Sequence, residues 1–297
     1  MIYAIVGASG NTGGVVAGKL LEAGQKVRVI GRDVGRLERF TSRGAEAFVA
    51  DATDAAALAM AFEGTSAVYA MVPPNISSPD VPAYQAKVSD ALATAIAKAA
   101  VPKAVMLSSF GADKPGKTGP VTGLHHLEEK LSAIAGLDAV FLRAGYFMEN
   151  LLPQIGVIRK LGMLAGPLQA DLPLPMIATR DIGAAAAELL LKPDFTGKQP
   201  RELLGQRDVS YAEIAPIIGK SIGKPGLTYT KVPAMMLRPA LKQIGMSGSM
   251  VDILLEMADA LNSGYMAPLE PRSEANTTPT SIETFVSEEF VPRFQAA

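Results

Sequence analysis

Short apolar runs alternate with longer amphipathic stretches through residues 1–145. The apolar runs predict strands over Ile2–Val6, Lys26–Ile30, Ala45–Val49, Ala67–Met71, Lys103–Leu107 and Ala139–Leu142. The amphipathic stretches predict helices over Thr12–Glu22, Val34–Arg43, Ala55–Phe62, Val81–Ala99 and Gly123–Ala135. Single helices between apolar strands require crossover connections and a parallel sheet covered on both faces. The predicted fold class is therefore α/β, a Rossmann-like doubly wound sheet with a ligand crevice beyond its strand carboxyl ends.

The pattern changes after Arg143, and the second half predicts a smaller lobe. We expect a doubly wound domain over residues 1–150 and a mostly helical substrate lobe over 151–297, part of which rejoins the sheet. Gly and Pro residues indicate an irregular segment over 151–180. The elements predicted beyond it are a strand at Glu202–Leu204 and helices over Arg180–Lys192, Tyr211–Ile222, Pro233–Ile244 and Met250–Leu261. The last two helices are rich in Met, which favours a core role, with an apolar substrate site as the alternative.

Composition argues against several classes of function. Lys and Arg (28) nearly balance Asp and Glu (29), and no basic run indicates direct nucleic-acid binding. The chain has no cysteine and only two adjacent histidines, so thiolate chemistry and a metal site are not expected. No apolar stretch reaches the ~20 residues that span a bilayer, and the first strand lacks a basic lead-in. We expect a cytoplasmic protein, monomeric or homodimeric, with no membrane partner.

A glycine-rich turn connects the first predicted strand to the first predicted helix. Its residues are Gly7, Ala8, Ser9, Gly10, Asn11, Thr12 and Gly13, a G-x-x-G-x-x-G pattern. The first glycine permits a sharp turn, the second permits close approach of a pyrophosphate, and the third permits tight helix packing. The free N–H groups at the start of the helix then stabilise the phosphates. In this strand–turn–helix context the pattern predicts dinucleotide binding, with a ligand-free tight turn as the alternative.

The residues after the second predicted strand indicate which dinucleotide binds. A fold selective for NAD places a carboxylate there to bond the ribose hydroxyls. Here Gly31 occupies that place and Arg32 follows, and a guanidinium pairs well with the 2′-phosphate of NADP(H). NADP(H) is therefore favoured, although an alignment shifted by one residue would make Asp33 the selector. After the third strand, Asp51 and Ala52 are candidates to border the adenine, and a helix N-cap is the alternative role for Asp51.

Several segments together resemble a known family. The segments are Gly7–Gly13, Asp51, Ser108-Ser109, Arg143–Asn150 (Arg-Ala-Gly-Tyr-Phe-Met-Glu-Asn) and Ala178–Gly183 (Ala-Thr-Arg-Asp-Ile-Gly). In this order the chain resembles the NmrA-like, atypical short-chain dehydrogenase/reductase family over roughly residues 1–220, and within it type 2 NAD(P)H:quinone oxidoreductases. The resemblance implies an NADP-binding domain and a small C-terminal lobe that forms a cleft over the nicotinamide.

The same resemblance assigns expected roles to residues beyond the glycine turn. The residues expected to border the cofactor are Met71, Val72, Pro73, Ser108, Ser109, His125, Tyr146 and Phe147. The residues expected to meet the substrate are Phe110, Tyr146, Phe147 and Asn150. These positions follow the fourth, fifth and sixth predicted strands, so they are expected at the carboxyl edge of the sheet.

The chain departs from the tyrosine–lysine pair that the superfamily carries on the helix after the fifth strand. With Glu129 as the acidic residue four positions after the lysine, the lysine position falls on His125 and the tyrosine position on Val121. Valine donates no proton, which argues against alcohol–ketone chemistry, whereas a quinone needs less help because its reduction is aided by aromatisation. His125, a histidine as in quinone-reducing relatives, is a candidate proton donor or ribose ligand, with a structural histidine as the alternative. Tyr146 is the alternative donor.

Two charged segments are interpreted as structural. Glu128, Glu129 and Lys130 are expected to form a solvated helix face. Arg180 and Asp181 are expected to form an ion pair that holds the two lobes together.

The sequence therefore supports two functions of different classes. The first is an NADPH-dependent oxidoreductase that transfers hydride to a quinone or a similar small apolar electrophile. The second is a non-catalytic sensor of NADP(H) that acts through a regulatory protein partner. A sugar- or isoflavone-type reductase or epimerase is less compatible, because the tyrosine and lysine are missing.

Overall fold

A seven-stranded parallel sheet lies at the centre of the computed structural model, which describes residues 1–297. The strands of the chain are β1 (Ile2–Val6), β2 (Lys26–Gly31), β3 (Glu46–Val49), β4 (Ala67–Ala70), β5 (Lys103–Ser109), β6 (Asp138–Ala144), β7 (Tyr146–Phe147), β8 (Leu164–Gly166), β9 (Leu174–Ile177), β10 (Lys198–Leu203), β11 (Asp208–Val209) and β12 (Tyr229–Lys231). The order in the sheet is β3-β2-β1-β4-β5-β6-β10, and every neighbouring pair is parallel. The predicted doubly wound fold is confirmed, with its switch point between β1 and β4.

Twelve α-helical segments surround the sheet and build the second half. They are α1 (Asn11–Glu22), α2 (Glu38–Thr41), α3 (Ala55–Phe62), α4 (Val81–Lys98), α5 (Val121–Ser132), α6 (Gln154–Leu161), α7 (Thr179–Leu191), α8 (Tyr211–Ser221), α9 (Ala234–Gln243), α10 (Gly248–Asn262), α11 (Ile282–Phe285) and α12 (Val291–Ala296). The helix predicted over 34–43 is a 3₁₀ turn, Gly35–Leu37, followed by the short α2. None of these helices has the length and apolar character needed to cross a bilayer.

Apolar residues on both faces of the sheet explain the two helical layers. Ile5 and Val29 point into a core shared with α1 and α7, whereas Val6 and Ile30 point into a core shared with α3, α4 and α5. Successive strand residues face opposite sides, so a sheet buried on both faces needs apolar residues at every position. A third core lies among the helices and short strands of the second half.

The second half returns to the sheet in two places. Strand β10 pairs with β6 at the sheet edge, and the strand predicted at Glu202–Leu204 matches only its last two residues. Helix α7 lies against α1, where a Cβ at Gly183 would be 2.6 Å from Val15 Cβ and 2.9 Å from the Thr12 carbonyl oxygen. The contact between these helices therefore depends on the absence of a side chain at Gly183.

The prediction of an irregular segment over 151–180 was wrong in part. This segment contains α6 and the strands β8 and β9, which pair with β12 and with β7 and β11 respectively. These strands are only three or four residues long, and their partners are distant in sequence. A strand whose partner is not local leaves a weak periodic signal, which explains why the pattern missed it.

The two charged residues at the start of α7 bind the C-terminal segment instead of each other. Asp181 accepts hydrogen bonds from the Thr280 N–H (2.9 Å) and hydroxyl (2.8 Å). Arg180 pairs with Glu288 at 2.5 Å and donates to the Thr280 hydroxyl at 3.1 Å. The expected Arg180–Asp181 ion pair is therefore replaced by two separate ties to residues 280–288.

Candidate functional site

The glycine turn leaves the start of α1 free of side chains. Gly7 has φ +70°, in the left-handed region that favours glycine. A Cβ at Gly13 would lie 2.5 Å from the Gly7 carbonyl oxygen, so the observed conformation of the turn requires glycine at this position. The N-cap of α1 is Gly10, and no side chain bonds the first N–H groups of the helix. The turn therefore presents unpaired amides at the positive end of a helix dipole.

Two residues of the turn have side chains that are buried in the protein, so only their main chain can meet a ligand. Ala8 and Thr12 are buried, and the Thr12 hydroxyl accepts a hydrogen bond from the Tyr69 hydroxyl at 2.9 Å. Ser9, Gly10 and Asn11 border a polar cleft beside the turn. The sequence pattern correctly located the turn but did not separate these two groups.

A small cleft lies beyond the ends of β2 and β3. Its lining includes Gly7, Arg32, Asp51 and Ala52. The Thr53 backbone N–H (2.8 Å) and hydroxyl (2.8 Å) donate to the Asp51 carboxylate, and the backbone hydrogen bond is the main cause that lowers the pKa of Asp51. The N-cap of α3 is Asp54, so Asp51 does not have that role.

Among the residues that line this cleft, Arg32 has a charge with no ion-pair partner in the protein. It is exposed and forms no ion pair within the protein. Asp33, its rival as the selector, accepts a hydrogen bond from the Gly35 N–H at 2.9 Å and is absent from the cleft lining. The lining of the cleft therefore includes an arginine without an ion-pair partner and a carboxylate held by Thr53.

A larger apolar cavity of about 280 Å³ lies over the ends of β4, β5 and β6. Nine of the expected residues line it: Met71, Val72, Pro73, Ser108, Ser109, Phe110, Tyr146, Phe147 and Asn150. Pro73 and Tyr84 line both this cavity and the small cleft, so the two spaces adjoin. No Asp, Glu, Lys or Arg lines the cavity. It is suited to a neutral, largely apolar molecule.

Methionines from the second half complete the cavity. Met250 and Met257 of α10 line it, together with Met266. Helix α10 therefore contributes both to the core of the second half, with Met257 packed against it, and to the cavity wall; that this wall meets a substrate stays a prediction. Helix α9 differs, because none of its residues is buried and Met235 and Met236 are among the most exposed apolar side chains. Methionine composition alone does not distinguish these uses.

The segment around Tyr146 is held by close backbone packing. A Cβ at Gly145 would lie 2.0 Å from the Pro175 carbonyl oxygen, so glycine allows β9 to pass beside β7. Glu149 accepts hydrogen bonds from the Thr179 N–H (3.0 Å) and hydroxyl (2.6 Å) at the start of α7. Two of the segments that carry the family resemblance, residues 143–150 and 178–183, are thus in direct contact.

Tyr146 has an unusual environment for a phenol. Burial raises the pKa of Tyr146, and hydrogen bonding from Tyr211 and Asn150 offsets the rise only in part. The Tyr211 ring in turn packs on Tyr229, with ring centroids 4.5 Å apart. Since Tyr211 was not among the expected site residues, this support was missed, and no spacing in the sequence indicates it. Tyr146 therefore stays protonated through the neutral and mildly alkaline range.

A buried ion pair lies beside the cavity. Arg143 contacts both carboxylate oxygens of Glu128, Nε at 3.0 Å and Nη2 at 2.6 Å. The Ser108 hydroxyl donates to the same carboxylate at 2.6 Å. Glu128 is 6% exposed and Arg143 is 9% exposed. The prediction that Glu128 belongs to a solvated helix face was wrong, because its partner comes from the distant strand β6.

His125 lies on α5 but does not line the cavity. Its Nδ1 is 2.7 Å from the Ala112 carbonyl oxygen, and its Nε2 is 3.6 Å from Glu129. One ring nitrogen is thus engaged with the main chain, as in a structural histidine. Val121, at the position assigned to the superfamily's tyrosine, does line the cavity. The structure brings Tyr146 into the cavity and leaves His125 outside its lining.

Comparisons with known proteins agree with this fold. The sequence profile of the NmrA-like family matches residues 2–289. An NAD(P)H azoreductase from Xenophilus azovorans is 28% identical over 265 residues, 89% of this chain and 88% of its own. Quinone oxidoreductase 2 of Escherichia coli is 28% identical over 261 residues, 86% of each chain.

A solved structure shows the same fold. The NADPH-dependent quinone oxidoreductase of Escherichia coli, complexed with NADPH, superimposes with a TM-score of 0.76 at 21% identity, covering 98% of this chain and 100% of that one. The resemblance identified from the glycine turn and the two later segments is thereby confirmed. The chain belongs to the NmrA-like family.

Proposed function

We propose that the protein is an NADPH-dependent reductase of a neutral, apolar electrophile such as a quinone. The observation that carries this proposal is the pair of adjoining spaces along the carboxyl edge of the sheet. One space has a free arginine beside the glycine turn, and the other is an uncharged cavity lined by Tyr146. Ligands of doubly wound sheets bind along this edge.

The residues of the turn fit a dinucleotide. Asp54, Asp80 and Ser210 cap α3, α4 and α8 with their own side chains, whereas α1 has no side-chain cap. The free amides of Asn11 and Thr12 would hold the diphosphate, while Asp51 would border the adenine. When bound, the reduced nicotinamide supplies a hydride. The protein's part is to orient it and to exclude water with the apolar walls of the cavity.

Arg32 is proposed to select the 2′-phosphate. We expect Arg32→Ala to weaken NADPH binding about tenfold to a hundredfold, because charge-assisted hydrogen bonds contribute ~1.5–3 kcal/mol. NADH lacks the phosphate, so its affinity should stay the same. Titration of both nucleotides into wild type and variant checks this. Equal weakening of NADPH and NADH would contradict the role of Arg32.

Tyr146 is proposed to donate the proton that an electrophile needs after reduction. We expect Tyr146→Phe to lower kcat about tenfold to a hundredfold, toward the lower end of general acid catalysis because water is an alternative donor. The raised pKa keeps the phenol protonated, so the wild-type rate should be flat between about pH 6 and 9. Tyr265→Phe is the matched control, since Tyr265 is outside the cavity lining. An unchanged kcat in Tyr146→Phe would remove this role.

Substrate charge tests the proposed function itself. The experiment compares NADPH oxidation with neutral 2-methyl-1,4-naphthoquinone and with anionic 1,4-naphthoquinone-2-sulfonate. We expect turnover of the neutral quinone and a kcat/KM at least about a hundredfold lower for the sulfonate, because an unpaired anion is costly to bury. Turnover of the sulfonate alone, or of neither quinone, would overturn the proposal.

A sensor of NADP(H) is the second candidate, because Val121 lines the cavity at the position where the short-chain dehydrogenase/reductase superfamily has a proton-donating tyrosine. A sensor would bind NADP⁺ and NADPH tightly, oxidise no NADPH with any neutral quinone, and act through a protein partner. Turnover of 2-methyl-1,4-naphthoquinone therefore distinguishes the reductase from the sensor.

A further inference from the structure

Helix α9 presents its apolar side chains to solvent. Leu237 and Leu241 are half-buried, whereas Met235 and Met236 are 83% and 68% exposed. Residues four positions apart lie on the same side of a helix, so the outward side of α9 consists of Met235, Met236, Pro239 and Ala240. A surface helix ordinarily turns polar residues outward. A contiguous apolar row that faces solvent indicates a surface that binds a partner.

The chain around this apolar row is basic. Residues 214–251 contain no Asp or Glu, although the whole chain has a net charge of −1, and their basic residues are Lys220, Lys224, Lys231, Arg238 and Lys242. Arg238 pairs with Asp252 of α10, whereas the four lysines are exposed and form no ion pair. Two copies of such a face repel each other, and an anionic surface attracts it.

The apolar cavity reaches the protein surface close to the end of α9. The chain continues from α9 into α10, where Met250 lines the cavity. At the junction, the Ser247 N–H donates to the Ile76 carbonyl oxygen at 2.9 Å. Ile76 is 43% exposed and follows Pro74 and Asn75, which both line the cavity. A partner bound to α9 would therefore lie beside this part of the cavity wall.

We propose that α9 and its four neighbouring lysines form a docking surface for an anionic lipid bilayer. Amphipathic helices that bind membranes in this way lie in the plane of the interface, with apolar side chains among the headgroups and Lys or Arg near the lipid phosphates. Helix α9 has 10 residues, well short of the ~20 that span a bilayer, so the contact is a surface contact. It differs from the absence of a membrane partner expected from the sequence, which considered spanning segments.

Docking would bring the cavity to the place where lipid-soluble molecules are concentrated. A neutral, apolar quinone partitions into a bilayer, and a docked chain would take it from the interface beside Pro74 and Ile76. This consequence rests on the proposed function, whereas the docking itself does not.

Cosedimentation of the full chain with vesicles tests the docking. One set of vesicles is phosphatidylcholine alone, and the other is equal parts of phosphatidylcholine and phosphatidylglycerol. We expect at least about twentyfold tighter binding to the anionic vesicles, because each lysine near an anionic surface contributes about fivefold and two or more lysines should reach it. Equal binding to the two sets, or binding to neither, would overturn the proposal.

Two double variants assign the binding to this face. Met235→Ser/Met236→Ser should weaken binding to the anionic vesicles at least about tenfold, because two apolar side chains no longer leave water. Lys231→Gln/Lys242→Gln should weaken it about twentyfold. Met60→Ser is the control, because Met60 is 59% exposed on α3 of the doubly wound half. Unchanged binding in either double variant, or an equal loss in Met60→Ser, would overturn the proposal.

Sedimentation velocity distinguishes a bilayer from a second copy of the chain. A wild-type dimer that Met235→Ser/Met236→Ser converts to a monomer would assign the apolar row to self-association and overturn the proposal. An unchanged sedimentation coefficient together with weaker vesicle binding supports it.

Turnover separates this proposal from the proposed function. Met235→Ser/Met236→Ser should keep the wild-type kcat/KM for 2-methyl-1,4-naphthoquinone in solution, since neither methionine lines the cavity. The KM for a decyl-substituted benzoquinone held in anionic vesicles should rise about tenfold, in proportion to the lost binding. An equal change with both quinones would overturn the delivery of substrate from the bilayer. Vesicle binding without turnover of any quinone would overturn the proposed function alone.

Discussion

Gly13→Ala is expected to weaken NADPH binding about a hundredfold. The added Cβ would lie 2.5 Å from the Gly7 carbonyl oxygen and 2.8 Å from the Gly7 carbonyl carbon. Both contacts are with main chain, which cannot move aside without opening the turn. Backbone strain of this kind costs ~1–3 kcal/mol, and the amides of the turn would lose their common direction.

Gly18→Ala is the matched control on the same helix. Its Cβ would meet only Arg43 Nη1 at 3.6 Å, an ordinary contact. Alanine also favours a helix over glycine by ~1 kcal/mol, so this variant should bind NADPH normally and unfold at higher urea concentration. Calorimetric titration of both variants is the measurement. Normal NADPH affinity in Gly13→Ala would show that the turn tolerates the methyl group and that its geometry is less constrained.

Arg143→Met is expected to reduce the free energy of unfolding by ~3–5 kcal/mol, because it leaves the Glu128 carboxylate buried without a counter-charge. Arg143 makes two hydrogen bonds to that carboxylate, at 3.0 and 2.6 Å. Urea denaturation of wild type and variant gives the difference. A loss below ~1 kcal/mol, the value of an exposed pair, would contradict the burial of the pair.

The double variant Glu128→Leu/Arg143→Met controls for the side chains themselves. It removes both charges and leaves apolar groups of similar length, so it should recover most of the stability lost by Arg143→Met. Recovery would assign the loss to the unpaired carboxylate. A loss as large as that of the single variant would assign it to packing.

Features set by local sequence could be predicted before the structure. The glycine turn could be located from Gly7–Gly13 and the strand and helix predicted on either side, because a sharp turn and a close approach each demand glycine at a defined place. The strand predicted at Glu202–Leu204 overlaps β10 only in Glu202 and Leu203, because the rest of β10 is polar and carries no apolar pattern. Strand apolarity likewise indicated a parallel sheet covered on both faces.

Features that depend on distant partners could not be predicted in the same way. In the sequence, Glu128 is one of three adjacent charged residues on a predicted helix. Its burial is explained only by its ion pair with Arg143 of β6. Tyr211 supports Tyr146 from a helix more than sixty positions later in the chain. His125 is the opposite case. The family resemblance places it at the superfamily's lysine position, but it lies outside the cavity lining.

Binding of NADPH is the claim on which the rest depends, and calorimetric titration tests it most directly. Titration of NADPH and of NADP⁺ into the wild-type protein should give saturable heat with one nucleotide per chain, and the NADPH affinity should fall about a hundredfold in Gly13→Ala. An absence of heat with both nucleotides in the wild-type protein would contradict the account.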